Sequence, residues 1–94
     1  MTTDSLERVQ TVVIPNKYGL HARPAAELVK MANQYQCEIW VRKEDLEVNG
    51  KSIMGVMMLA AECGSEITIR ATGDDAEAAV NAIAGLVQRG FGEA

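Results

Sequence analysis

The stretch CEIWVRKEDLEV, residues 37–48, sets the architecture of this chain because it contains two short strands joined by a tight turn. Apolar and polar side chains alternate along residues 37–43, which is typical of a strand with one buried face. Residues 46–48 form a shorter strand, with Glu44 and Asp45 at the turn. The stretch predicts an antiparallel hairpin whose apolar face other elements must cover. The same alternation puts Trp40 on the polar face, where its role is open.

Strands and helices flank this hairpin on both sides. Two further segments alternate in polarity and are rich in β-branched residues, and three repeat apolar residues with helical spacing. The order β-α-β-β-α-β-α predicts an α+β fold, an open-faced β-sandwich in which three helices cover one face of a four-stranded antiparallel sheet. The strands are residues 8–15 and 66–71; the helices are residues 21–35, residues 53–61, and a third that begins at Asp74 or Asp75 and is closed by Gly90.

Local signals mark the ends of the second and third helices. Ser52 precedes the second helix, where a serine hydroxyl is a good N-cap, and Gly64 is placed at its end. Asp74 and Glu77 have the spacing of a capping box at the start of the third helix. In the second helix, the residues that we expect to be buried are Val56, Leu59 and Ala60.

Length, charge and composition exclude several functions. The chain has 94 residues, enough for a single domain over residues 1–94 and too few for separate cofactor and substrate domains, so we expect no cofactor. Nine Lys and Arg against 13 Asp and Glu give a net charge of −4, which disfavours nucleic acids and anionic membranes as partners. Without a recognisable membrane span or secretion signal, we expect a cytoplasmic monomer with Cys37 and Cys63 reduced.

The one histidine of the chain stands where a loop enters the first helix. With His21 as the N-cap, the backbone N–H groups of Ala22 and Arg23 have no carbonyl partner within the helix. They point toward whatever group the imidazole carries. The positive end of the helix dipole and the Arg23 guanidinium add to this field. The local sequence therefore predicts an anion site at His21.

Neutral imidazole is also a nucleophile near pH 7 and can accept a phosphoryl group on a ring nitrogen. The sequence has no phosphate-binding loop and no convincing pair of acidic metal ligands, so it favours a carrier over an enzyme. Two other interpretations stay open: His21 is an ordinary surface or capping residue, or the helix start only holds a free anion. A metal site is disfavoured because neither cysteine nor a second histidine is placed to complete it.

Two segments of the chain resemble the HPr family, the histidine-containing phosphocarriers of the phosphoenolpyruvate-dependent phosphotransferase system. The sequence GLHARPAA, residues 19–26, resembles the active-site signature of that family. The sequence KSIMGVM, residues 51–57, resembles its regulatory-serine segment. The element order over residues 8–90 is similar to the family's open-faced β-sandwich.

This resemblance implies that Nδ1 of His21 is phosphorylated and that Arg23 stabilises the phosphoryl group. The donor would be enzyme I and the recipient a IIA domain of the sugar phosphotransferase system. Both partners would dock on a face formed by the first helix and the residues after Ser52, whose methionines suit a surface that must fit several partners. The docking residues would be Ala26, Lys30, Ile53, Met54, Met57 and Met58.

Ser52 has two interpretations. As an N-cap it stabilises the second helix by about 1 kcal/mol and needs no regulation. By resemblance it is the residue that an HPr kinase/phosphorylase modifies, and a phosphate there would place negative charge beside the docking face. Which of the two applies stays open.

The branch of the family is also open. The loop at residues 16–19, the run at residues 57–59 and the tail at residues 90–93 look more like the nitrogen-branch paralogue, a regulator with the same phosphohistidine chemistry. The alternative function is therefore a regulatory phosphocarrier or phospho-dependent binding module not coupled to sugar transport. Asn16 lies five residues before His21 where family members often have an asparagine three residues before it, so no hydrogen-bonding role is assigned to it.

Overall fold

A computed structural model describes residues 6–93 and contains one four-stranded sheet and three helices. All paired strands are antiparallel, as the sequence predicts. The α+β fold is therefore confirmed. The strands are β1 (Glu7–Val13), β2 (Glu38–Lys43), β3 (Leu46–Asn49) and β4 (Glu66–Thr72); the helices are α1 (Ala22–Ala32), α2 (Ile53–Met58) and α3 (Ala76–Gln88), and a 3-10 turn follows at Gly90–Gly92.

The strand order is β1-β4-β2-β3, so the last strand of the chain lies between the first two. The register puts the buried Ile67 of β4 opposite the buried Val12 of β1, and the buried Ile69 of β4 opposite the buried Val41 of β2. Because side chains alternate along a strand, the apolar residues of neighbouring strands fall on the same side of the sheet. The predicted turn at Glu44 and Asp45 is confirmed, since β2 and β3 pair immediately on either side of it.

The core lies between this apolar side and the helices. α3 packs across β1 and β4, and α1 lies beside both α2 and α3. Each large side chain that is fully buried stabilises the fold by about 1.5–3 kcal/mol relative to an exposed one. The largest fully buried side chains are Ile14, Leu28, Ile39, Val41, Val56, Ile67, Ile69, Ile83 and Val87.

The second helix is shorter than predicted. α2 ends at Met58, because the next N–H groups bond three residues back and Ala60 then adopts a left-handed conformation with φ of 48°. This turn exposes Ala60 and buries Ala61, so the prediction that Ala60 is buried was wrong. The predictions for Val56 and Leu59 are confirmed. Gly64 does not end the helix; it lies in a later turn.

The first helix also ends early, at Ala32 and not at residue 35. Asn33 is its C-cap. The N–H groups of Gln34 and Tyr35 donate to carbonyls three residues back, at Met31 and Ala32, so the helix gives way to tighter turns. The apolar stripe that the sequence predicts for α3 is buried as expected, and Gly90, with φ of 66°, follows the end of that helix.

The capping box predicted at the start of α3 was wrong. Asp75, not Asp74, is the N-cap, and its side chain does not bond the helix. Its carboxylate instead accepts hydrogen bonds from the backbone N–H groups of Gln36 (2.8 Å) and Cys37 (2.9 Å). These bonds favour the ionised acid and lower the pKa of Asp75. Asp75 thus ties α3 to the segment that enters β2.

The open face of the sheet accounts for Trp40. The guanidinium carbon of Arg70 lies 4.3 Å from the centre of the Trp40 ring, a cation–π contact between neighbouring strands. Arg70 also bonds the carboxylates of Glu47 (2.9 Å) and Glu7 (3.3 Å). One arginine on the central strand therefore connects all four strands on the side that no helix covers.

Both cysteines are free thiols, in agreement with the sequence interpretation. Cys37 is buried, and burial together with the neighbouring Asp75 carboxylate raises the pKa of its thiol to about 11. Such a thiol stays protonated and unreactive at neutral pH. Cys63 is exposed.

Substitution Asp75→Asn tests the tie between α3 and β2. The variant replaces one carboxylate oxygen with an NH2 group that faces a backbone donor, so we expect a lower free energy of unfolding at pH 7. Because the pKa of Asp75 is lowered by folding, the wild-type advantage is present above about pH 4 and is lost as the pH falls through the folded pKa. Urea unfolding of both proteins from pH 7 to pH 2 measures this difference. An unchanged difference across that range would contradict the assignment.

Candidate functional site

His21 begins α1, as the sequence predicts. It is the N-cap residue, with extended backbone angles, and its ring makes no capping hydrogen bond. Its carbonyl accepts the first helical hydrogen bond from Ala25 (3.0 Å). Pro24 has no N–H group, so only the N–H groups of Ala22 and Arg23 are left without a helical partner. The start of α1 therefore leaves two backbone donors next to His21 that have no partner within residues 6–93.

The loop before His21 is fixed by a glycine. Gly19 has φ of 65°, and a Cβ at this position would collide with the carbonyl oxygen of Ala61. The close approach allows the N–H of Leu20 to donate to that same oxygen (2.8 Å). The N–H of Gly19 donates to the Asn16 carbonyl (3.1 Å). These contacts hold the start of α1 against the chain that follows α2.

Asn16 lies beneath the site and is only 3 % exposed. Its amide nitrogen donates to the Gly19 carbonyl (2.8 Å) and to Oε1 of Glu93 (3.0 Å). Two acceptors fix which side of the amide carries the nitrogen. Oδ1 of Asn16 has no hydrogen-bond partner among residues 6–93. Asn16 therefore acts in the site as a donor that positions other groups.

Glu93 makes the closest side-chain contact to the His21 ring. Its two carboxylate oxygens lie 3.1 Å and 3.2 Å from Nε2 of His21. The Glu93 side chain is 18 % exposed and that of His21 39 % exposed, so the pair is partly shielded from water. The carboxylate reaches the ring because the turn after α3 brings residues 90–93 back toward the start of α1.

A shallow depression surrounds the free side of the ring. The Tyr18 ring meets the imidazole edge-to-face, with centroids 6.1 Å apart, and Phe91, Gly92 and Glu93 also line the depression. The Arg23 side chain also lines the depression and is exposed, and it forms no ion pair or hydrogen bond within residues 6–93. A guanidinium without a counterion next to an imidazole suits an anionic ligand.

The remaining residues singled out from the sequence lie on α1 and α2, which pack side by side. Ser52 is the N-cap of α2: its hydroxyl oxygen accepts a hydrogen bond from the Gly55 N–H (3.1 Å), as predicted. Met54 is 75 % exposed and Met58 67 % exposed, an unusual state for large apolar side chains. The proposed docking residues are all exposed: Ala26, Lys30, Ile53, Met54, Met57 and Met58.

In the described part of the chain, residues 6–93, no group of three or more His, Cys, Asp and Glu side chains is arranged to hold a metal ion. No helix in the same range is long and apolar enough to cross a membrane.

Sequence reasoning missed two members of the site, Glu93 and Asn16. Glu93 is separated from His21 by 72 residues, and no local pattern connects them. The only sequence signal is the pair of glycines around Phe91, which lets the chain turn back after α3. Asn16 is close to His21 along the chain, but among residues 6–93 its side chain bonds Gly19 and Glu93 and not the ring itself.

Comparisons with known proteins agree with this geometry. Residues 9–89 match the family model described as the PTS HPr component phosphorylation site. The chain is 46% identical over 84 residues to the phosphocarrier protein HPr of Neisseria meningitidis serogroup A, covering 89% of this chain and 94% of that protein. The fold and these matches define a small phosphocarrier protein. More specifically, the chain belongs to the HPr family of the phosphotransferase system.

Solved structures give the same result. A crystal structure of HPr from Thermoanaerobacter tengcongensis superposes with a TM-score of 0.89 at 45% identity, covering 93% of this chain and 98% of that one. A second structure from that organism is described as an HPr dimer, with a TM-score of 0.74 at 46% identity over 87% of this chain and 94% of that one. A monomeric state therefore stays a prediction for this chain.

Substitution Gly19→Ala tests the loop that carries His21. The added Cβ meets the Ala61 carbonyl and breaks its bond to Leu20, so we expect the free energy of unfolding to fall by about 3 kcal/mol. Gly64→Ala is the control: Gly64 also has positive φ, but its Cβ would meet no atom within 4 Å, and the expected loss is about 1–2 kcal/mol. Thermal and urea unfolding give both values. Equal losses in the two variants would show that the close approach to Ala61 contributes nothing.

Proposed function

We propose that this protein is a phosphocarrier in which Nδ1 of His21 accepts a phosphoryl group from phospho-enzyme I and passes it to a IIA domain of the sugar phosphotransferase system. One observation carries the proposal. The imidazole stands at the start of α1, beside two backbone N–H groups and the Arg23 guanidinium, none of which has a partner within residues 6–93. Membership of the HPr family supports the same chemistry.

Each part of this arrangement stabilises added negative charge. A phosphoryl group carries a charge of about −1.5 to −2 at neutral pH. The start of a helix carries about half a positive charge and stabilises an anion by about 0.3–1 kcal/mol at an exposed site. The N–H groups of Ala22 and Arg23 can donate to phosphoryl oxygens, and the Arg23 side chain can pair with them. The stabilisation of the phosphoryl group is modest. This suits a carrier, because a tightly held group could not be passed on.

The site offers His21 as a phosphoryl acceptor, but the sequence has no motif that would bind and activate a phosphoryl donor such as a nucleotide. The sequence contains no Gly-x-x-x-x-Gly-Lys-Ser/Thr loop that would bind a nucleotide. A nitrogen–phosphorus bond on imidazole keeps the group reactive, so the protein can release it without further activation. We therefore propose a stoichiometric carrier, not an enzyme, working in the cytoplasm.

Enzyme I and the IIA domain are proposed to use one docking face in turn. It consists of the six exposed residues on α1 and α2; α1 begins after His21, and α2 packs against α1. Exposed methionines adapt to differently shaped partners, since the side chain is flexible and polarisable. Lys30 supplies a positive charge at the rim of this apolar surface.

Ser52 is proposed as the site where an HPr kinase/phosphorylase would regulate docking. The Ser52 hydroxyl is partly exposed and stands at the edge of the docking face, immediately before Ile53 and Met54. A phosphate there would bring negative charge beside the exposed apolar side chains of α2. The expected effect is weaker docking, with His21 still chemically competent.

Labelling with radioactive phosphoenolpyruvate and enzyme I tests the acceptor. We expect label that is lost in acid and kept in alkali, and no label on His21→Ala. The variant should fold, because the His21 ring caps nothing and its partly exposed contact with Glu93 contributes under about 1 kcal/mol. Circular dichroism of the variant is the control. A folded His21→Ala protein that still takes up label would overturn the proposal.

Onward transfer separates the two branches of the family. If the labelled protein gives its phosphoryl group to a sugar-specific IIA domain, the sugar branch is supported. If the protein accepts label but passes none to any sugar-specific IIA domain, the nitrogen-branch regulator becomes the better assignment. A protein that only binds inorganic phosphate, without covalent label, would be a simple anion-binding module.

Substitution Ser52→Asp tests the effect of charge on docking. Asp and Asn both cap helices well, so Ser52→Asn is a neutral control of similar shape. We expect Ser52→Asp to raise the Kd for enzyme I roughly tenfold, because the added carboxylate would repel an acidic surface of the partner. The neutral variant Ser52→Asn should leave the Kd nearly unchanged. Isothermal titration calorimetry measures both. Equal Kd values for the two variants would count against regulation by charge.

A further inference from the structure

We propose that Glu93 is a positioning residue for phosphoryl transfer: its carboxylate holds the ring hydrogen of His21 on Nε2 and so leaves Nδ1 as the nucleophile. The inference rests on the proposed function, since it assigns a role in the transfer that His21 carries out. It adds a residue from the end of the chain to a site otherwise built from the loop and helix around His21.

The geometry determines which nitrogen carries the hydrogen. Both oxygens of Glu93 lie within 3.2 Å of Nε2, and an ionised carboxylate can only accept hydrogen bonds. Nε2 must therefore be the donor, and in the neutral ring Nδ1 then has the free lone pair. This is the nitrogen that the contact with Glu93 leaves available.

Asn16 keeps the carboxylate in place. Its amide nitrogen donates to Oε1 of Glu93 (3.0 Å), the same oxygen that lies 3.2 Å from Nε2. Because Asn16 is buried and also bonded to the Gly19 carbonyl, it joins Glu93 to the loop that fixes the start of α1. The chain Asn16–Glu93–His21 thus runs from the buried floor of the site to the reacting ring. Histidines that bind metals are oriented by carboxylate partners in a comparable way.

The transfer step balances with Glu93 in this role. The Nδ1 lone pair attacks the phosphorus of the donor's phosphohistidine, and the Nδ1–P bond forms as the donor nitrogen–phosphorus bond breaks, its electron pair returning to the donor nitrogen. No proton moves from His21 in this step. The product ring carries both the Nδ1 phosphoryl group and the Nε2 hydrogen, so it is cationic, and the Glu93 carboxylate stabilises that charge. When the phosphoryl group is passed on, a ring that carries the Nε2 hydrogen leaves more easily than a ring without it.

A purely structural role would be different. In that case Glu93 only anchors residues 90–93 against the loop, and removing its charge would change stability without changing the ring. Substitution Glu93→Gln keeps the shape of the side chain and removes the charge. Glu77→Gln is a matched control, because Glu77 is exposed at the opposite end of α3.

The first readout is the 15N spectrum of the neutral His21 ring, which distinguishes a protonated from a bare nitrogen. We expect the wild type and Glu77→Gln to carry the hydrogen on Nε2. The ring of Glu93→Gln should be a mixture of both tautomers, because a glutamine amide can donate as well as accept. An unchanged ring in Glu93→Gln would overturn the proposal.

The second readout is the rate of transfer. We expect Glu93→Gln to accept label from enzyme I about 10-fold to 100-fold more slowly, the loss seen when carboxylate partners of metal-binding histidines are removed. Its phosphorylated form, prepared with phosphoramidate, should release the group more slowly by a similar factor. If Glu93→Gln and Glu77→Gln are both folded and show equal rates, the proposal is also overturned.

Failure of the proposed function gives a different pattern. If enzyme I does not label the wild type, the carrier assignment fails, while the 15N spectrum and the lifetime of the phosphoramidate product still test Glu93. If enzyme I labels the wild type and both variants at the same rate, the carrier assignment stands and the role of Glu93 is lost.

Discussion

The contact between Gly19 and the Ala61 carbonyl is the constraint on which the site depends. A side chain at residue 19 would occupy the space of that oxygen, so the loop before α1 can lie against the chain after α2 only with glycine there. The Leu20 N–H then bonds the same oxygen, and His21 follows one residue later. The start of α1 and the chain after α2 are therefore joined through the backbone, and this connection does not depend on surface side chains.

The two faces of the sheet make different contacts. The covered face supplies the core, and the open face is held by Arg70, which links Trp40, Glu47 and Glu7 across the strands. Neither face contributes a side chain to the depression around His21, which is lined by the loop before α1, by Arg23 and by the turn after α3. Loops positioned by a rigid scaffold commonly carry function in this way. Substitutions on the open face should thus affect stability more than transfer.

Local patterns predicted the parts of this protein that depend on local physics. Alternation located the strands, helical spacing located the helices, and the local sequence placed His21 as the N-cap of α1. The missed features depend on contacts between distant segments. The Asp75 carboxylate accepts hydrogen bonds from the N–H groups of Gln36 and Cys37 and none from its own helix. Glu93 contacts His21, which lies 72 residues earlier in the chain. The left-handed Ala60 that shortens α2 has no sequence signal, since alanine rarely adopts that conformation.

The stacking of Arg70 on Trp40 has a practical consequence. Trp40 is the single tryptophan of the chain, so it supplies nearly all of the intrinsic fluorescence excited at its absorption edge. Its ring lies on the open face of the sheet, whereas His21 and the exposed methionines belong to the helical side. The emission therefore reports on the pairing of β2 with β4. Unfolding can thus be followed through Trp40 without a label near His21.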